Sequence, residues 1–395
     1  MKKINLYLVL SVCILTPMAN DIFVASMPEM AKLFQTTHIQ WILSIFLAGL
    51  AIPQLICGAL SDQFGRKPVL IGGLVIFSLA SFIIPISNEF SVLLTARFFQ
   101  AIGACCLIPS VFAISRDVYD KNQLIKVIGL VMLAIGVFPL LSPIIGAWLD
   151  YFFGWKSAFY WLFIFGVIYL SISVILFKET HTHRNPFSLK QLIINYLSVC
   201  RIRAFIGYSL ISACSYAILF AFMASATLIY LQEYGVSAVI GGNLIALNGI
   251  SIISMGIISP KIAIKIGLNR WIFVGTLFLV IGGLCFLFGS ICFSQSFLVV
   301  TLSMFVTTIG VGIIRPLASA GAMQVVEANV SGSASALFNL LSFLGAAFST
   351  WIMGLIVNVN AFDFSIVNII LGVIACMVVY GFLSEGLKLK LSLSH

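Results

Sequence analysis

The sequence predicts an all-α membrane protein with twelve transmembrane helices and both termini cytoplasmic. Three observations carry that expectation. The 395 residues are 61% hydrophobic and only 8% charged, against about 25% charged in a soluble domain. Apolar runs that meet the bilayer requirement of roughly 20 residues recur along the whole chain. The basic residues fall mainly in the short polar intervals between those runs, the arrangement that sets membrane orientation. A net charge of +9 therefore needs no nucleic-acid partner to explain it.

The first run, MKKINLYLVLSVCILTPMANDIFVASM, begins like a signal peptide. It outruns an h-region of about 7–15 residues, and Pro17 and Asp21 interrupt it, so it reads as a retained span over 5–27. The remaining spans are expected at 40–60, 69–87, 90–114, 125–149, 156–178, 203–230, 238–260, 271–292, 296–320, 332–357 and 361–384. The longest polar interval, Lys178 to Gln191, separates six spans from six. The chain accordingly divides into an N-terminal six-helix bundle at 1–178, a cytoplasmic linker at 179–202 and a C-terminal six-helix bundle at 203–395. With the N-terminus inside, seventeen Lys and Arg fall on the cytoplasmic side and only Lys32 and Lys156 outside, a strong positive-inside bias. Arg97 and Arg315 are left within predicted spans.

The nine cysteines lie almost all in apolar runs without CxxC spacing and read as small packing residues. His181 and His183 form an isolated HxH, too few ligands for zinc. No metal and no cofactor are expected. The halves resemble each other: IGACCLIP at 102–109 in the fourth span matches IGVGIIRP at 309–316 in the tenth, 207 residues later. Paired six-helix bundles related by an axis along the membrane normal are one transporter architecture.

GALSDQFGRKPVL, residues 58 to 70, places Asp62, Arg66 and Lys67 with Gly58 and Gly65 in the turn between spans two and three. Glycines permit a tight turn and close helix approach. Asp62 can cap a helix or pair with a cation. Arg66 can pair with a carboxylate of the next cytoplasmic loop, where SRDVYD offers Asp117 and Asp120 beside Arg116. The plainer reading is a turn with a positive-inside anchor. The stretch resembles the signature GxLaDrxGrkxxl of the major facilitator superfamily, with Gln63 departing from it. That resemblance implies two six-helix bundles around a central cavity, and a latch at the inner gate.

Three more stretches resemble the twelve-span drug:proton antiporters, especially the Bcr/CflA branch. They are LTPMANDIFVASMP at 15–28 with Asp21 and Pro28, LLTARFFQAIGACC at 93–106 with Arg97, Gln100 and Gly103, and IGVFPLLSPIIGAWLDYFFGWKSAF at 135–159 with Pro139, Pro143 and Gly146. The third continues into a W-R-x-x-F-like segment in which Lys156 replaces arginine. In it Pro139 and Pro143 remove backbone bonds, and Gly136 and Gly146 permit close packing. The second half carries only less specific support, and its copy of the opening motif, SPKIAIKIGLNR, has lost the aspartate.

A charged group at bilayer depth costs about 3 kcal/mol or more, so each is a functional candidate. Asp21 is open to two readings, a helix-packing hydrogen bond or a proton-responsive carboxylate; burial and a nearby cation pull its proton affinity in opposite directions. Arg97 shares a helix face with Gln100 and reads as a hydrogen-bond hub, or, as the resemblance implies, a cavity residue answering proton and substrate. Arg315 has Ile108 at its place in the repeat; it either snorkels to the surface or is a second cavity cation. Tyr216, Asn248 and Asn339 complete the substrate candidates. Tyr208, Tyr216 and Phe220 share one face of the seventh span.

The expected function is proton-coupled efflux of drugs or small amphipathic molecules across the bacterial inner membrane by alternating access, by a monomer whose partners are substrate, protons and lipid. The alternative is a transporter of a particular anionic or zwitterionic metabolite or chelator, which two cavity arginines and a single intramembrane acid would favour. An enzyme or a membrane sensor is the distant alternative: HExxH, GxSxG and a soluble output domain are missing from the sequence.

Overall fold

The computed structural model describes residues 2–180, 188–292, 296–327, 330–357 and 359–388. His181, His183 and Arg184 lie outside them. The described residues form fourteen α-helices and no strand. In chain order these are α1 (Lys2–Asp21), α2 (Met27–Leu33), α3 (Trp41–Phe64), α4 (Arg66–Ile86), α5 (Phe90–Val118), α6 (Lys121–Phe153), α7 (Lys156–Leu176), α8 (Leu189–Cys200), α9 (Arg203–Leu228), α10 (Ala238–Ile266), α11 (Leu268–Cys292), α12 (Phe297–Gln324), α13 (Ser331–Leu355) and α14 (Ala361–Lys388). Eleven of them, α3–α7 and α9–α14, are long and apolar enough to cross a membrane, and α1 precedes them. The chain gathers into two compact units, Met1–Ser188 and Leu189–His395.

Four elements differ from expectation. The first helix stops at Asp21 rather than continuing to 27; a 3-10 turn at Val24–Ser26 follows, and α2 starts with Pro28 in its first turn. The physical reason is a close crossing. A Cβ at Gly146 of α6 would overlap the Ile22 carbonyl oxygen, so the chain just after α1 lies directly against α6. The stretch expected as a linker contains α8, whose Val199 is buried and whose Ile193, Ile194 and Leu197 are exposed; it groups with the second unit. α6 includes Pro139 and Pro143 as expected but is longer at both ends than 125–149, and α10 runs six residues past its expected end at Pro260. A π turn at Ile229–Glu233 closes α9.

The internal repeat is a matter of geometry as well as sequence. A Cβ at Gly103 of α5 would lie 2.6 Å from the Gly73 carbonyl oxygen and 2.5 Å from the Phe77 nitrogen of α4. A Cβ at Gly310 of α12 would lie 2.6 Å from the Gly275 carbonyl oxygen and 3.1 Å from the Leu279 nitrogen of α11. The two glycines are 207 residues apart and their partners 202, so each unit crosses the same pair of helices backbone to backbone, as small residues allow in membranes. The turns before these pairs also match. Gly65 (φ 103°) joins α3 to α4 and Gly267 (φ 102°) joins α10 to α11. That left-handed conformation favours a residue without Cβ. Gly58 and Gly136 do not make the close approach expected of them, since nothing lies within 4 Å of a Cβ at either; both are exposed.

Gly103→Val and Gly310→Val are each expected to destabilise the purified protein by about 1–3 kcal/mol through overpacking. Gly58→Ala is expected to leave its apparent melting temperature in detergent unchanged. Melting curves of the three variants check this.

Candidate functional site

The first site forms where α1 ends. The last carbonyls of any helix lack intrahelical donors, and the C-terminus carries partial negative charge. Here Arg97 of α5 supplies the donor: its Nη1 donates to the Ala19 carbonyl at 2.9 Å and to Gln100 Oε1 at 2.7 Å. Gln100 Nε2 donates to Ser81 Oγ of α4 at 2.7 Å, and Ser81 Oγ donates to the Phe77 carbonyl at 2.6 Å. The guanidinium carbon lies 4.4 Å from the centroid of Phe23 and 4.3 Å from that of Phe46, with Phe159 at 5.8 Å. Cation–π attraction of this kind is strongest where water is excluded, and Arg97 and Gln100 are both 0% exposed.

Asp21 is the neighbouring acid. It is 4% exposed, and its Oδ1 accepts from Asn20 Nδ2. It acts on Arg97 electrostatically, yet the two ion pairs found among the described residues both belong to Arg66. Arg97 Nε and Nη2 are buried without a hydrogen-bond partner. This differs from the expectation of a water-facing arginine: Arg97 and Gln100 are enclosed by aromatic rings and helix backbone, so neither is open to a dissolved substrate in this structure. The acid and the cation interact electrostatically and the cation is incompletely satisfied, an arrangement in which a proton added at one changes the field at the other.

The opening motif builds a second cluster. Arg66, 6% exposed, donates through Nη1 to Asp62 Oδ1 at 2.6 Å and to Ser61 Oγ at 3.1 Å, and through Nε to Asp117 Oδ2 at 3.3 Å. Asp62 lies in the last turn of α3 and Asp117 in that of α5, so one guanidinium neutralises two acids at two negative helix ends. Arg66 itself opens α4, an unfavourable place for a cation. Glu179 offsets this: its carboxylate accepts the backbone N–H of Arg66 at 3.0 Å and of Lys67 at 3.1 Å. A Cβ at Gly65 would lie 2.5 Å from Glu179 Oε2, so the glycine makes room for the cap. Lys67 Nζ donates to the Val174 carbonyl at 3.0 Å. Asp120 is not a partner of Arg66. Its Oδ1 accepts from the Gln123 N–H at 3.1 Å and caps α6. Arg116 is exposed. Each of these contacts lies within the first unit.

In the second unit, Arg315 of α12 donates through Nη2 to the Tyr216 hydroxyl, and its guanidinium carbon lies 4.4 Å from the centroid of the same ring. Tyr216 lies in the middle of α9. The arginine is therefore turned toward α9, not extended along α12 to its end at Gln324, and the snorkelling reading is set aside. Tyr216 packs on Phe220 at 5.9 Å and edge-on to Phe343 of α13 at 5.8 Å; all three rings, Arg315 and Asn339 are half-buried. Asn248 is buried, with Nδ2 donating to the Leu244 carbonyl of its own helix at 3.1 Å. Tyr208, two turns earlier on α9, packs against Gly321 of α12 and donates to Asn269 Oδ1 at 2.7 Å.

Sequence reasoning missed Glu179, although it is the acid directly following the sixth span, and it missed the pairing of Glu29 on α2 with Asp150 near the end of α6. Partial burial of the carboxyl, in a residue otherwise exposed, holds Glu29 above the usual glutamate range, and the Asp150 carboxyl adds to this. Among the described residues no three His, Cys, Asp or Glu side chains are grouped closely enough to hold a metal ion.

Comparison with known proteins adds the following. The family model of the Major Facilitator Superfamily matches residues 9–350. A bicyclomycin resistance protein homolog of Haemophilus influenzae is 28% identical over 257 residues, 64% of this chain and 65% of that protein. A multidrug resistance protein MdtL of Citrobacter koseri is 35% identical over 213 residues, 50% of this chain and 55% of that protein. The matched stretches thus span less than two thirds of either relative. Among solved structures, a POT family transporter in complex with 5-aminolevulinic acid superposes with a TM-score of 0.79 at 14% identity, covering 98% of this chain and 96% of that one. A D-xylose-proton symporter does so with a TM-score of 0.75 at 15% identity, covering 95% and 97%. At such identity these likenesses establish the fold alone.

Glu179→Ala is expected to cost about 1 kcal/mol, the usual value of a helix cap, read as a lower apparent melting temperature. The raised proton affinity of Glu29 means that the folded chain binds this proton more tightly than the unfolded one. Its contribution is complete below the unfolded pKa and is lost as pH rises through the folded value. Glu29→Gln is therefore expected to flatten the fall of melting temperature with rising pH, measured from about pH 4 to about pH 8.

Proposed function

Because the chain belongs to the major facilitator superfamily and its apolar helices and bacterial relatives make it a multi-pass protein of the inner membrane, we propose that it is a proton-coupled exporter of drugs or small amphipathic molecules. The relatives named for bicyclomycin and multidrug resistance suggest the substrate range. The observation that carries the proton-coupled part is the enclosed Asp21–Arg97 neighbourhood. A carboxylate 4% exposed and a guanidinium 0% exposed sit side by side without a direct ion pair. Keeping two ionic groups away from water is costly, and Arg97 leaves two of its nitrogens without a partner. A purely structural pair would be expected to close into a bidentate bridge.

In this reading Asp21 exchanges a proton, Arg97 senses its charge, and Gln100 and Ser81 pass the change to α4. Arg66 with Asp62, Asp117 and Glu179 fastens the ends of α3, α4 and α5 within the first unit and keeps them moving as one body. The Arg66 cluster is thus a tie inside one bundle; the gating motif acts by stiffening. The chain works as a monomer in the lipid bilayer, has its termini in the cytoplasm and carries no reaction chemistry of its own.

Asp21→Asn and Arg97→Ala are each expected to abolish proton-driven efflux while leaving membrane insertion intact. The measurements are resistance to bicyclomycin and a panel of amphipathic dyes in an efflux-deficient strain, and dye transport in inverted vesicles on imposing a pH gradient. Undiminished transport by both variants would overturn the coupling role.

A further inference from the structure

Arg66, Arg97 and Arg315 lie in or against the packed interior, and their bonding differs. Arg66 is paired with two carboxylates. Arg97 is shut between Phe23 and Phe46 and closes off a helix end. Arg315 does neither. Its one hydrogen bond among the described residues goes to a neutral hydroxyl, Tyr216, out of the five N–H groups that a guanidinium offers. No carboxylate lies within 4 Å of it among the described residues. The acids of its unit stand at helix ends: Glu233 closes the π turn after α9, Glu327 follows α12, Asp363 is in the first turn of α14 and Glu385 in its last.

The repeat supplies an internal control. Ile108 holds the corresponding place in α5, 207 residues earlier, and is half-buried as Arg315 is. An aliphatic side chain therefore satisfies the fold at this position, and the positive charge needs another reason. The surroundings indicate one. The ring beside the guanidinium is that of Tyr216, which packs in turn on Phe220 and Phe343, and Asn339 lies one turn from Phe343 on the same side of α13. A fork of open donors above apolar rings suits a planar oxyanion attached to an aromatic body.

We propose that Arg315 is the anion-recognising residue of the substrate site, and that the transported molecules include amphipathic aromatic carboxylates. This rests on the export reading above and narrows its substrate class: the carboxylate takes the free N–H groups of Arg315 and the apolar body lies on Phe220 and Phe343. Tyr216 is the positioning residue, holding the guanidinium in plane through its hydroxyl and ring.

The test uses the full chain in detergent micelles and a matched pair of probes, 2-naphthoate and the uncharged 2-naphthamide, titrated calorimetrically against micelle blanks. The wild-type protein is expected to bind the carboxylate at least about tenfold more tightly than the amide, the worth of one charge-assisted hydrogen bond. Arg315→Ile, which installs the residue of the repeat, is expected to bring that ratio to one, and Arg315→Lys to retain part of it. Elution as a single species and helical circular dichroism establish that each variant is folded; Arg315→Gln takes the place of Arg315→Ile if the latter fails that check. Equal binding of the two probes by the wild type, no binding of either, or a ratio that survives removal of the guanidinium would each overturn the proposal. Failure of proton-driven export with the ratio intact would overturn the export reading and leave the anion site standing.

Discussion

The first unit is organised around the cost of ending a helix in its buried interior. α1 stops at Asp21 because the chain beyond it lies against Gly146 of α6. Stopping there leaves backbone carbonyls that no water can reach, a far costlier defect in lipid than at a soluble protein's surface. Arg97 resolves it by donating to the Ala19 carbonyl. The arginine then needs its own compensation, which comes from the rings of Phe23 and Phe46 and from Gln100. Residues from five helices or their connections thus meet on one guanidinium. Its position and that of Asp21 are consequences of one another.

The second unit repeats the scaffold without repeating the charge. The Gly103 and Gly310 crossings have the same geometry, and Gly65 and Gly267 turn the chain alike. By the same offset, Met304 stands for Arg97 and Thr307 for Gln100. Met304 is buried, while Thr307 Oγ1 accepts from Asn368 Nδ2 at 3.1 Å and so keeps a polar link at the place of the glutamine. Arg315 goes the other way, adding a cation where the first unit has Ile108. Packing is symmetric because helix crossings demand small residues wherever backbones touch. Ionic groups are asymmetric because the fold does not ask for them.

What was legible in the sequence follows the same division. The order of the long apolar helices could be read because lipid imposes long apolar runs, and Gly103 could be found because its partner Gly310 sits in a matching string. The end of α1 could not be read, since it is set by a contact with Gly146, 125 residues away. The enclosure of Arg97 and Gln100 was hidden for a related reason: when lipid and core are both apolar, periodicity does not say which face of a helix is covered. Glu179 escaped because a carboxylate in a polar loop has no pattern of its own until the α4 N-terminus it caps is in view. Arg315 was visible as an anomaly, and the direction of its side chain required Tyr216 to be placed beside it.

In the proposed exchange, a proton can drive substrate only if the two conformations of the transporter differ in their affinity for it. The Asp21–Arg97 neighbourhood has the means to differ, because Arg97 Nε and Nη2 hold unspent donors. A state that brings the carboxylate into contact with them favours the ionised acid; a state like the present one does not. The same logic applies to Arg315, whose open N–H groups would be satisfied by an anionic substrate in one state and by water in the other. Coupling between the two is then reciprocal by thermodynamic necessity: whatever factor protonation of Asp21 imposes on substrate affinity, substrate binding imposes on the affinity of Asp21 for its proton. Two under-bonded arginines, one in each unit, are in this view the stores of differential binding energy on which such an exchange draws.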